Sequence, residues 1–227
     1  MISSPTTVLA PPEPAGQKLR PLSIFLVGFF TVWTLWVVLL VRYPSLERVA
    51  ILRIGVRVSV WILSTCLFVR LVEGPPVLDR LGLKRNQRKG LLFGCLGFLV
   101  LLLVMGLHQG SRFRHFAIPT DLATWLNPIL LAPIAEEVLF RGLVFRILLG
   151  RWTLWPALAT SALLFALIHL PYWWLSGAAS PTGLVVKLGS IFAYGVFFAL
   201  LYRWSGSLYA PLTCHVLNNL VTTAIGL

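Results

Sequence analysis

The sequence predicts an all-α fold, a polytopic transmembrane helix bundle of about seven spans (six to eight). Three observations predict it. Apolar residues make up 58% of the 227-residue chain and charged residues only 11%, under half the roughly 25% usual in a soluble domain. Apolar runs recur at about the 20-residue length that a bilayer core requires. The basic residues behind a net charge of +12 lie between those runs, where topology determinants sit. That placement, with no nucleic-acid motif in the chain, excludes a nucleic-acid partner and makes the lipid bilayer the main one.

Residues 1–21 form a polar tail rich in proline (Pro5, Pro11, Pro12, Pro14), with the composition of a disordered segment. The first span covers 22–41. It is too long for a signal-peptide core and reaches Arg42 without a small-residue cleavage pattern, so it is retained. The second span, 51–72, carries Arg53 and Arg57 in its first turns, where they are expected to snorkel to the interface. A basic loop with Arg80, Lys84, Arg85, Arg88 and Lys89 leads to the third span, 91–107. Residues 22–121 thus make an N-terminal membrane region, and 122–227 a second one. The fourth segment, 122–149, contains Pro128 and Pro133, which predict a kink or a short re-entrant start. The fifth, 155–170, is expected to stop at Pro171, followed by an uncharged loop over 171–182. The sixth and seventh cover 183–202 and 208–225. There is no internal repeat. His108 and His115 fall in a predicted loop and receive no role. Cys66, Cys95 and Cys214 lie in apolar spans, as small buried hydrophobes and not as disulfides or a metal cage. The basic loop after span two is expected on the cytoplasmic side, which places the uncharged loop outside. Arg42, Arg48, Arg53 and Arg57 run against that orientation.

Polar residues inside spans are costly and mark function by default. Of seven acidic residues, Glu136 and Glu137 alone fall in mid-span. Residues four apart share a helical face, with Glu before Arg the better order, so Glu137 and Arg141 are expected to form an internal ion pair. Glu136 points about 100° away and is left without that partner. A carboxylate left free inside a span can take a proton from water, which makes Glu136 the candidate general base. His169 ends span five with Phe165 one turn before it, and His215 lies in span seven with Asn219 one turn after. Such groups satisfy one another best by converging. Convergence supplies a glutamate to polarise water, a histidine to orient it and donors for an oxyanion, the requirements of peptide-bond hydrolysis. Helical neighbours point about 100° apart, so Cys214 is not read as a nucleophile for His215. The chain has no His-Glu-x-x-His motif, no pair of intramembrane aspartates and no Gly-x-Ser-x-Gly element.

These residues resemble the CPBP membrane endopeptidases (CAAX protease and bacteriocin-processing, also Abi; type II CAAX prenyl endopeptidase-like). The family motif Glu-Glu-x-x-x-Arg matches Glu136, Glu137 and Arg141. Phe-x-x-x-His matches Phe165 and His169, and His-x-x-x-Asn matches His215 and Asn219. The match covers about 122–227, while the first three spans agree only in being apolar. The resemblance implies an intramembrane endopeptidase that cuts a membrane-embedded or membrane-tethered protein or peptide. Glu136 and His169 would activate water, His215 and Asn219 would stabilise the oxyanion, and Glu137 and Arg141 would support the site. Family members are described both as metalloendopeptidases and as metal-free, and the sequence leaves both open. Glu136, His169 and His215 are the candidate ligands, because three protein ligands plus water is a common catalytic zinc arrangement. The chain has no C-terminal CAAX box, so it is not expected to be a prenylation substrate itself, and its compactness without an appended soluble domain leads to the expectation of a multi-pass protein of a prokaryotic cell membrane. Two other functions fit less well. An immunity or scaffold protein of the same fold has no need of Glu136, and a proton-coupled transporter would be expected to show an inverted repeat.

Overall fold

The computed structural model describes residues 18–109 and 116–226. Among them the chain is mostly helical with no strand, the predicted class. Residues 1–17 of the expected tail, and His115, lie outside the described residues. The helices are α1 (Leu19–Arg42), α2 (Ala50–Val72), α3 (Gln87–Gln109), α4 (residues 122–149), α5 (Leu154–Leu167), α6 (Leu170–Leu175), α7 (Pro181–Ser205) and α8 (Tyr209–Ala224). A 3₁₀ turn, Pro44–Arg48, joins α1 to α2, and one helical turn, Val77–Arg80, lies between α2 and α3.

α1, α2, α3, the segment Leu154–Leu175 and α7 are each long and apolar enough to cross a membrane. Their outer faces carry large bare hydrophobics, such as Ile24 and Val27 on α1 and Leu99 and Leu103 on α3. Such faces suit lipid. α4 and α8 differ. No residue between Leu131 and Leu149, or between Tyr209 and Ile225, is fully exposed. α8 has 16 residues, about 24 Å at the usual helical rise, short of the roughly 30 Å apolar core of a bilayer. These two helices are the inner elements, and α4 supplies most of the core through Leu139, Phe140, Leu143, Val144 and Phe145.

Four local expectations change. α4 runs through Pro128 and Pro133 without a break. Its stretches Trp125–Leu131 and Val138–Phe145 wind as wide π-type turns, which accommodate a residue that lacks an N–H. The uncharged segment after α5 is not all loop. α5 ends at Leu167, and Pro171 sits in the first turn of α6, where its missing N–H is no loss. α3 extends to Gln109, so the backbone of His108 is helical. All three cysteines are free, with Cys214 buried, but Cys95 lies on the outer surface.

α3 packs on α8 through glycine. A Cβ on Gly94 would stand 2.7 Å from Thr213 Cβ and 2.8 Å from Ala210 O, and one on Gly90 would stand 2.7 Å from Ser207 Oγ. Small residues four apart allow helices to approach closely in a membrane, and here that approach presses α8 into the bundle. Gly94→Leu is expected to lower the thermal midpoint of the detergent-solubilised protein, in line with the roughly 1–3 kcal/mol cost of overpacking. Gly106→Leu, where nothing lies within 4 Å, should leave the midpoint unchanged.

Candidate active site

α4 places two carboxylates side by side between its wide turns. Glu137 is fully buried. Its Oε1 accepts a hydrogen bond from Arg141 Nη1 at 3.0 Å and lies 2.8 Å from His215 Nδ1 on α8. The ring nitrogen facing a carboxylate oxygen carries the proton, so His215 turns Nε2 toward the cavity. Arg141 is also fully buried and donates from Nη2 to Gly195 O on α7 at 3.0 Å. Gly195 is required there, because a Cβ would stand 2.9 Å from Ala162 Cα of α5. The guanidinium lies 4.3 Å from the Phe165 ring centroid and 5.3 Å from that of Phe198, a cation–π enclosure. Phe198 in turn stacks on His215 at 4.7 Å.

Glu136 faces the other way, into a cavity. Its Oε2 lies 3.8 Å from His215 Nε2 and its Oε1 lies 3.6 Å from Arg57 Nη1. Arg57 therefore does not snorkel, and Glu136 is not left without a cation. α2 carries the Arg57 side chain inward, where its guanidinium lies 5.9 Å from the ring centroids of both Trp33 and Trp61. Arg53 lines the same cavity. Arg57 finds counter-charge and aromatic faces inside the bundle, which lipid does not offer.

His169 occupies the turn between α5 and α6. Its Nδ1 lies 3.0 Å from Phe165 O, its N–H donates to Ala166 O at 3.1 Å, and its ring lies 5.4 Å from that of Trp173. The end of α5 leaves carbonyls without helical partners, and Trp33 Nε1 donates to Ile168 O at 3.0 Å. α1 thus pins the turn that presents His169.

Asn219 is placed by the two prolines. In the wide turn the Ala132 N–H donates to Asn127 O, five residues back. The corresponding partner of Pro128 O would be Pro133, which has no N–H. Pro128 O is thereby free to accept from Asn219 Nδ2 at 2.9 Å. An amide nitrogen carries two hydrogens, so one N–H of Asn219 remains available.

Glu136, His169 and Asn219 line both a cavity of about 430 Å³ and a smaller one of about 150 Å³. Trp33, Trp36, Trp173 and Tyr172 contribute the walls of the first, and Tyr194, Phe198, His215 and Asn218 those of the second. Glu136, His169, His215 and Asn219, the candidate catalytic residues of the sequence, come together here. Arg57, Trp33, Gly195 and Asn218 were missed. Of these only Arg57, a charge inside an apolar run, left a signal in the sequence. Among the described residues no group of three or more His, Cys, Asp or Glu side chains is placed to hold a metal ion. The trio Glu136, His169 and His215 therefore does not fit zinc as it stands.

Residues 118–221 match the family model described as type II CAAX prenyl endopeptidase Rce1-like. The chain is 30% identical over 106 residues to an uncharacterized 24.3 kDa protein of Escherichia coli, covering 46% of this chain and 44% of that one. It is 33% identical over 94 residues to the uncharacterized protein YpbD of Bacillus subtilis, covering 40% of each. The chain thus spans less than half the length of these curated relatives. No solved structure matches it.

The two carboxylates predict opposite behaviour. Arg141→Leu strands the Glu137 charge in the core and is expected to destabilise the protein by about 3–5 kcal/mol. Glu136→Gln, at the cavity wall, is expected to leave the thermal midpoint near that of the parent protein. Parallel melts of the two purified variants check both outcomes.

Proposed function

We propose that this multi-pass membrane protein, whose residues 118–221 match the Rce1-like family of type II CAAX prenyl endopeptidases, hydrolyses a peptide bond in a membrane-embedded or membrane-tethered substrate. The observation that carries this reading is the meeting of Glu136, His169 and Asn219 at two adjoining cavities, with His215 Nε2 3.8 Å from Glu136. These side chains come from α4, the α5–α6 turn and α8, and all reach water-sized space inside an apolar bundle.

Glu136 takes a proton from a water oriented by His169, and the water oxygen attacks the scissile carbonyl carbon. The carbonyl electron pair moves to oxygen. That oxyanion accepts hydrogen bonds from the spare N–H of Asn219 and from His215 Nε2 when it carries a proton. On collapse the carbon–nitrogen bond breaks, and the leaving amine takes the proton held by Glu136, which restores the carboxylate. Glu137 fixes the His215 ring through Nδ1, as a carboxylate orients a catalytic imidazole elsewhere. Arg57 offsets the cost of keeping Glu136 charged within the membrane. The apolar and aromatic walls suit a hydrophobic peptide, and residues 122–227 form the working core, with α1 and α2 completing its outer cavity.

Comparing the membrane peptidomes of cells that carry the parent protein or Glu136→Gln tests this reading by mass spectrometry. Specific fragments are expected to fall by roughly 100-fold or more, the lower range for losing a general base, at unchanged protein level. Arg57→Gln should lower the same fragments by less. Identical peptidomes, with the Glu136→Gln variant rescuing a deletion phenotype, would remove the protease reading.

A further inference from the structure

The outer cavity, of about 430 Å³, is lined by Arg53 and Arg57 of α2 beside Glu136, His169 and Asn219. Arg57 has its partners, Glu136 at 3.6 Å and two indole rings. Arg53 has none of that kind. Among the described residues no carboxylate pairs with its guanidinium and no aromatic ring lies against it. Its Nε is a buried donor without an acceptor. Arg57 Nη1 is a second such donor, since 3.6 Å to Glu136 is too long for a hydrogen bond. Glu47, the other acid on the wall, accepts from Tyr172 Oη at 3.4 Å.

A guanidinium keeps its proton in proteins, so burial does not neutralise it as it can a lysine. An unpaired charge away from bulk water is costly, and a buried donor without an acceptor adds to that cost. An anion with acceptor oxygens removes both costs. A carboxylate does so in the geometry that a guanidinium fork matches, with two N–H groups on two oxygens. Position narrows where that carboxylate comes from. Residues four apart share a helical face and stand about 6 Å apart along the axis. Arg53 is thus one turn along α2 from the arginine that touches Glu136. An extended peptide covers that distance in about two residues. Trp33, Trp36 and Val37 of α1 line the same cavity and offer apolar surface to the rest of the peptide.

We propose that Arg53 is a specificity-determining residue, which binds a carboxylate of the peptide about two residues from the bond to be cut. This role rests on the peptidase reading of the site and narrows its substrate class to apolar peptides with an acid group close to the cut. An Asp or Glu side chain and a free chain end share the required chemistry.

The test uses the full chain in phosphatidylcholine nanodiscs and a synthetic octapeptide of leucine, valine and alanine. The peptide carries a quencher of tryptophan fluorescence at its N-terminus. It is made as the C-terminal acid, as the C-terminal amide, and as amides with one aspartate stepped along the chain. Binding is read by quenching and corrected for uptake by empty nanodiscs. The parent protein is expected to bind at least one acidic form about tenfold or more tighter than the plain amide, the strength of a hydrogen bond to a charged group. Arg53→Gln should remove that preference and leave binding of the plain amide as it was. Arg53→Lys, a point charge in place of a fork, should keep only part of it. Preference for the C-terminal acid identifies the chain end as the group bound, and preference for an aspartate form identifies a side chain. Equal binding of all forms by the parent, no binding above empty nanodiscs, or an undiminished preference in Arg53→Gln would overturn the role. Should Arg53→Gln melt early, Arg53→Lys decides by the same measurement, and an undiminished preference there would overturn it. Mass spectrometry of the same samples judges the peptidase reading separately. Cuts without a carboxylate preference remove the role of Arg53 alone, while a preference without any cut counts against the peptidase reading and leaves Arg53 as a carboxylate-binding residue.

Discussion

One carboxylate oxygen organises the interior of this bundle. Glu137 Oε1, buried on α4, meets both Arg141 and His215 within 3.0 Å. Arg141 then reaches the backbone of α7 at Gly195, so three helices are tied through one ion pair and its hydrogen bonds. Charges at this depth are expensive to desolvate, and the attraction between them repays that cost only when geometry and hydrogen bonding are good. Here two aromatic faces enclose the guanidinium and a glycine admits the neighbouring helix. The arrangement specifies one packing of α4 against α7 and α8, and it sets the direction in which His215 presents its free edge. Glu136 can then face a cavity, because its neighbour has taken the structural burden.

Backbone irregularity does comparable work. A regular α-helix through 125–131 would occupy Pro128 O with the amide four residues on. The wide turn, with Pro133 in the register position that has no N–H, releases that carbonyl to hold Asn219. The end of α5 is handled the same way, with Trp33 of α1 bonding the carbonyl beside His169. Both polar residues are therefore held by backbone groups that the helices themselves leave open, which is how an apolar bundle positions side chains without a polar scaffold.

Much of this was legible in the sequence, and the rest has physical reasons for being hidden. The Glu137–Arg141 contact follows from helical spacing alone, and the helices follow from apolar run lengths. Periodicity could not tell lipid-facing helices from buried ones, because both are apolar all round, so the inner position of α4 and α8 emerged only from the fold. Arg57 was misplaced because reasoning within a single helix sees no partner on another. The two prolines read as a kink or a short re-entrant start because their missing N–H groups were counted as losses, while the structure uses one of those absences.

The most direct test of the central claim is a double-mutant cycle between Glu137→Gln and His215→Gln, read on thermal unfolding of the purified protein. Residues that share one buried network couple by about 0.5–3 kcal/mol. The organisation described here predicts coupling in that range, with the double variant less destabilised than the two single effects added together. Additive effects, with no coupling, would mean that Glu137 does not hold His215 and would contradict the account.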